Sequence, residues 1–257
     1  MIALIGSGNV ATWVAARLEK SQEFPIGQVY SPTLEHARVL ADRVGAEAID
    51  DLGNLNPGCD LFLFALRDDA YPDILKEIPF RMPLALHTAG SVSQRMFEPY
   101  SDSYGVVYPL QTLSKGMDFE AVKVPVCVEG DRLGDQSARV GRLVAELSDV
   151  HCEMTEAQRA VVHLAAVFAC NFSNALSDIA DRLLREQGFS LELLMPLMRQ
   201  TLAKLESMSP AEAQTGPAVR RDTVVMGRQM MALSDPRMRD VYEVLSAYIM
   251  ERGEMGT

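Results

Sequence analysis

Six residues near the start of the chain carry the clearest chemistry. Gly6-Ser7-Gly8-Asn9-Val10-Ala11 follows the apolar run Met1 to Ile5 and opens a pattern in which Val10, Val14 and Leu18 recur every four residues. Such a turn lies between a strand and a helix. Gly6 permits its tight bend, Gly8 lets a diphosphate approach the backbone, and Ala11 keeps the helix close to the sheet. The free N–H groups of the helix start, with their partial positive charge, then face the phosphates. Gly6, Ser7, Gly8, Asn9, Val10 and Ala11 are therefore expected to hold a dinucleotide.

The end of the second strand discriminates between dinucleotides. A carboxylate there holds the ribose 2′-hydroxyl of NAD. This chain has Ser31-Pro32-Thr33, and its first acid, Glu35, is already inside the next helix. Ser31 and Thr33 could hold a 2′-phosphate, so NADP is expected over NAD. No arginine is adjacent, Arg38 being a turn further on, and a plain turn with a helix cap is the competing reading.

Later strand ends supply more candidates. Ala65, Leu66 and Arg67 should run past the cofactor. His87-Thr88-Ala89-Gly90-Ser91 offers a histidine, hydroxyls and a glycine where a nicotinamide and substrate would lie. His87 is either a proton donor or a neutral histidine bonded to backbone at a strand end. Thr88, Gly90 and Ser91 are candidate substrate contacts. Gln111, in Tyr108-Pro109-Leu110-Gln111-Thr112, is another, although a proline-rich turn explains that segment as well.

In the second half, His163, Asn171, Asn174 and Asp178 recur along one stripe of an apolar helix, where polar groups need partners. His163 and Asn171 are candidate catalytic groups and Asn174 a substrate contact; satisfaction by other helices is the commoner explanation. Thr215-Gly216-Pro217 leads to Arg220 and Arg221 just before a helix start at Asp222, a place suited to a carboxylate or phosphate. Pairing with the chain's own acids is the alternative. No metal-ligand spacing is present.

These residues need an α/β scaffold. Short apolar strands are expected at residues 1–5, 28–31, 47–49, 60–66, 84–87, 105–108 and 124–128, alternating with helices. That pattern gives a doubly wound, mostly parallel sheet. From about Thr155 no strand is apparent. Thr155-Glu156-Ala157-Gln158 is a capping-box sequence opening a helix that runs to about Glu186, roughly 45 Å long and expected to be buried all round. Two domains follow: 1–150, binding the nucleotide, and 151–257, all-helical.

Composition narrows the class. The 257 residues carry a net charge of −11, which disfavours nucleic acid and anionic membrane as partners. No apolar run is read as long enough for a membrane span, and no signal peptide is apparent. The scattered Cys59, Cys127, Cys152 and Cys170 fit reduced thiols in the cytoplasm. Leu and Met between Leu191 and Met208 and in the final helix exceed what a small domain buries, so a homodimer through the helical half is expected.

The N-terminal half resembles deazaflavin-dependent NADP oxidoreductases and pyrroline-5-carboxylate reductase. The pairing with a helical half resembles the 6-phosphogluconate dehydrogenase-like superfamily. His87–Ser91, Pro109–Thr112, Ala165–Phe172 and Thr215–Pro217 with Arg220 and Asp222 resemble a bacterial Rossmann-like family with a C-terminal domain of unassigned function. The resemblance implies this fold and NADP. The β-hydroxyacid dehydrogenases of the superfamily place a proton-donating lysine on the interdomain helix, but residues 155–186 contain none. An NADP-dependent oxidoreductase acting on a small, anionic carbonyl or imine is expected; the alternative is a protein that senses NADP(H) without turnover.

Overall fold

The computed structural model describes residues 1–119 and 121–255, with side chains described to Arg252. Eight strands form one sheet: β1 (Ile2–Ile5), β2 (Ile26–Tyr30), β3 (Glu47–Ile49), β4 (Leu61–Phe64), β5 (Met82–His87), β6 (Ser101–Pro109), β7 (Val126–Glu129) and β8 (His151–Glu153). Their order is β3-β2-β1-β4-β5-β6-β7-β8. All neighbours are parallel except β6 and β7. The doubly wound sheet expected from the strand–helix alternation is therefore present, and β8 extends it.

Both faces of the sheet are apolar, as parallel strands covered on two sides require. Ile2, Leu4, Leu61, Leu63, Leu84 and Leu86 face one layer, with α1 (Asn9–Leu18), α2 (Leu34–Val44) and α4 (Ser137–Leu147) packed there. Ala3, Ile5, Phe62, Phe64 and Ala85 face the other, with Tyr71 and Leu75 of α3 (Tyr71–Glu77) and with Phe97. One-residue alternation along each strand thus builds two cores at once. The C-terminal edge of β1, β2, β4, β5 and β6 is left to the connecting loops, which carry most of the candidate residues.

After β8 the chain is helical. Thr155 caps α5 (Glu156–Ala166) through the expected box with Gln158. The helix continues through a π-helical segment, Val167–Phe172, into α6 (Ser173–Arg185), and Gly188 follows in the left-handed region. Then come α7 (Met195–Lys204), α8 (Pro210–Ala213), α9 (Thr223–Ala232) and α10 (Pro236–Met255). The chain divides into two compact units, Met1–Cys170 and Asn171–Thr257, parting within the π-helical segment.

Two expectations about the long helix are corrected. Glu156–Arg185 is long and apolar enough, by length and composition, to cross a membrane. It is also not buried all round: Val161 is 67% exposed and Phe168 63%. Its first turns are held by protein, because Arg159 is buried among loops of the sheet.

Candidate active site

The turn after β1 has the geometry its sequence demands. Gly6 has φ +125°, and a Cβ there would press into the carbonyl of Ala65, so only glycine fits. Gly8 is the N-cap of α1, in extended conformation, with no side-chain cap and open space where a Cβ would stand. The first N–H groups of α1 are thus left for a ligand, and the approach to them is clear. Asn9 turns aside and donates to the Leu113 carbonyl at 2.8 Å, tying the loop after β6 to this turn. Val10 is half-buried, and Ala11 lies fully buried against the sheet. The residues present fit a dinucleotide diphosphate.

Ser31 and Thr33 divide the work expected of them. Ser31 is buried; Ser7 Oγ donates to its hydroxyl at 2.9 Å. Thr33 is exposed at the N-cap of α2, and its side chain makes no capping bond. Thr33 is the hydroxyl on this edge open to a ligand, with Ser31 fixing the turn beneath it. Among the residues after β4, Ala65 is buried and Leu66 half-buried. Arg67 is exposed and paired with Asp69 at 2.7 Å.

His87 requires correction as a proton donor. Its imidazole is fully buried, stacked on Phe97 with centroids 5.6 Å apart and edge-on to Tyr71. Nδ1 accepts the Ala89 N–H at 3.2 Å. Burial, aided by the nearby positive charge of Arg159, pushes its pKa down to about 3. A ring that stays neutral inside an aromatic layer cannot hand a proton to a ligand outside it. Thr88 is likewise turned inward, its hydroxyl donating to the Phe64 carbonyl at 3.2 Å.

Tyr108 and His163 meet at this end of the sheet. Tyr108 Oη lies 2.9 Å from His163 Nδ1, with the rings edge to face. Tyr108 is at the carboxyl end of β6 and His163 is on α5. Gly90, after β5, lies directly beneath them. A Cβ on Gly90 would stand 2.8 Å from His163 Cγ and 3.0 Å from Tyr108 Cζ. Burial raises the Tyr108 pKa, with Cys127 and Asp68 reinforcing it, so the phenol keeps its proton at neutral pH. Ser91, beside Gly90, donates to the Asp68 carboxylate.

One buried ion pair locks this arrangement. Arg159 Nε meets Glu129 Oε2 at 2.9 Å, with both side chains about 1–3% exposed. Arg159 Nη1 also donates to the carbonyls of Ala89 at 3.1 Å and Gly90 at 2.7 Å. Gln94 donates to Glu129 as well. Arg159 is one helical turn before His163, so the contact that seats α5 on the loop also places the histidine. Burial raises the Glu129 pKa, and Arg159 opposes that rise.

The remaining candidates are described by their own surroundings. Gln111 is exposed and spent on its own turn, its Oε1 accepting from Thr112 N–H at 2.8 Å. Asn171 lies in the π-helical segment and Asn174 in α6; both are exposed. Asp222 caps α9 by accepting the Val225 N–H at 3.0 Å. Arg220 is exposed, and Arg221 has φ +53°, a strained value for a non-glycine residue. No group of metal-ligating side chains occurs among the described residues. The role of Tyr108 beside His163 and the place of Arg159 emerge from the fold. Tyr108 had a sequence signal, a polar residue at a strand end, whereas Arg159 looked like one more charge on a helix.

Residues 124–249 match the family described as a domain of unknown function, DUF2520. No curated protein matches the chain. Among solved structures, one titled a "putative NADP oxidoreductase" from Bacteroides fragilis is 38% identical, covers 97% of each chain and superposes with a TM-score of 0.90. A protein from Thermotoga maritima is 20% identical over 100% of this chain and 99% of its own, with a TM-score of 0.71. A reductive aminase from Aspergillus terreus, in complex with NADPH4, cyclohexanone and allyl amine, shares the fold at 17% identity. It covers 99% of this chain and 94% of its own, with a TM-score of 0.73. The chain belongs to the family of the Bacteroides protein, the Rossmann-type NADP oxidoreductases whose second half is of the DUF2520 type.

Proposed function

We propose that the chain catalyses hydride transfer between NADP(H) and a small carbonyl or imine, with Tyr108 as proton donor and His163 as its partner. The observation that carries this reading is the 2.9 Å contact between Tyr108 Oη and His163 Nδ1 above Gly90. It lies at the strand ends where open α/β sheets bind ligands. Bound NADP(H) supplies or takes up the hydride. The turn Gly6–Ala11 holds the diphosphate, and Thr33 receives the 2′-phosphate. Tyr108 protonates the substrate oxygen or nitrogen as hydride arrives, and His163 replaces that proton. Gly90, Ser91 and Asp68 line the approach.

The rest of the expected site belongs to this proposal. Arg220 and Arg221 hold an anionic group of the substrate. The strain at Arg221 supports them, since such backbone cost collects at functional loops. Asn171 and Asn174 remain candidate contacts to substrate or cofactor, both exposed on their own helix segments. The chain is a cytoplasmic homodimer, with Leu193, Leu197, Leu202 and Leu205, all exposed in one copy, covered by the second. Light scattering that finds a monomer at micromolar concentration contradicts the dimer.

The test of function is loss of NADPH absorbance at stoichiometric excess of substrate. The purified protein is incubated with panels of cyclic imines, keto acids and ketone–amine mixtures. Consumption that follows one class identifies the electrophile. NADPH binding without consumption across every panel contradicts the proposal.

A further inference from the structure

β7 and β8 form the last pair of the sheet, and their register sets Cys127 opposite Cys152. On the other side of β7, Cys127 is opposite Tyr108. Residues directly opposite share a face, so Tyr108, Cys127 and Cys152 form one row running from the acid–base pair to the edge of the sheet. Both cysteines of this row carry free thiols, as do Cys59 and Cys170. Paired residues on neighbouring strands stand about 4.8 Å apart, inside the Cα window of roughly 4.4–6.8 Å that a disulfide accepts. The Cys152 thiol is near enough to help raise the Cys127 pKa.

We propose that Cys127 and Cys152 are a thiol pair that closes to a disulfide when a hydroperoxide reaches this edge of the sheet. The two sulfurs have different roles because their surroundings differ. Cys152 is exposed, whereas Cys127 is buried at 1%. Burial and the neighbouring Cys152 push the Cys127 thiol up to about 12, so it does not react first. The Cys152 thiolate attacks the peroxide, breaking its O–O bond to give a sulfenic acid and releasing an alcohol or water. The Cys127 sulfur then attacks the Cys152 sulfur. The S–O bond breaks, and the departing hydroxide takes the Cys127 proton and leaves as water. The thiols lose two electrons and two protons, and the hydroperoxide is reduced.

The cross-link has a consequence for the row. β8 has only three residues and runs into Thr155, the cap of α5, which carries Arg159 and His163. A disulfide fixes the strand that launches that helix.

The test treats the reduced full-length protein with hydrogen peroxide, alkylates the remaining thiols after denaturation, and maps peptides by mass spectrometry. The expected result is two alkylated cysteines in place of four, a Cys127–Cys152 linked peptide, and its loss with dithiothreitol. Cys152→Ser, at an exposed position and checked for folding by circular dichroism, should abolish the linked peptide. Cys170→Ser should leave it intact. Cys152 accumulating as sulfinic acid beside a free Cys127, a cross-link to Cys170 or between chains, or no oxidation of Cys152 would each overturn the proposal. None of these outcomes depends on hydride transfer.

Discussion

Gly90→Ala concentrates the account on one methyl group. The added Cβ would stand 2.8 Å from His163 Cγ, with Nδ1 closer still, and 3.0 Å from Tyr108 Cζ. Ordinary carbon contacts lie at about 3.5–4.0 Å. The histidine must therefore retreat by the better part of an ångström, which breaks its 2.9 Å contact with Tyr108. Neither ring can stay in place with the loop unmoved, because Arg159 grips the Ala89 and Gly90 carbonyls from below. Overpacking of this kind costs about 1–3 kcal/mol of stability. A misplacement of about 1 Å in a catalytic group costs on the order of 10²-fold in rate. The expected outcome is a folded protein, destabilised in urea, with kcat for NADPH consumption down about 10²-fold. NADPH affinity, set by the Gly6–Ala11 turn, should hold. Unchanged kcat in a Gly90→Ala protein whose melting point has fallen would refute the reasoning.

Gly8→Asp should fold, since Gly8 has φ −78° and open space above it, yet lose NADPH binding through a carboxylate in the diphosphate's path; fluorescence titration with unchanged affinity would oppose the assignment. Arg220→Ala should raise KM strongly and leave NADPH affinity nearly intact; a lower melting point with unchanged kinetics would make it a structural arginine instead. Acid stability should carry a His87 component. Its folded pKa is depressed to about 3 from an unfolded value of about 6.5, so this contribution is complete above pH 6.5 and is lost as pH falls toward 3. At about 1.4 kcal/mol per unit, the component amounts to on the order of 5 kcal/mol. His87→Gln should flatten that part of the urea-stability profile, and an identical acid slope in the variant would contradict it.

The sheet was legible because its strands are short apolar runs bounded by turn residues. Gly6, Gly8 and Ala11 were legible because a diphosphate constrains backbone, not side chains. β8 escaped notice, since His151-Cys152-Glu153 is exposed and lacks an apolar signature. The histidines were harder to separate. His87 and His163 are both polar residues among apolar neighbours, and only packing shows that His87 turns into an aromatic layer while His163 meets a phenol. Arg159 was invisible for the same reason, because its partners Glu129, Ala89 and Gly90 lie 30 to 70 positions away along the chain. The helix read as buried because its composition is apolar on nearly every side, yet Val161, Leu164 and Phe168 are exposed.

The central claim is that Tyr108 delivers the proton that accompanies hydride. Tyr108→Phe removes one oxygen and keeps the ring that packs against His163. With the electrophile class found by NADPH consumption, single-turnover rates are compared for the wild type and this variant, at saturating NADPH. The expected fall is about 10²–10⁴-fold in the chemical step, with NADPH affinity unchanged. An undiminished rate in a Tyr108→Phe protein that binds NADPH normally would contradict it.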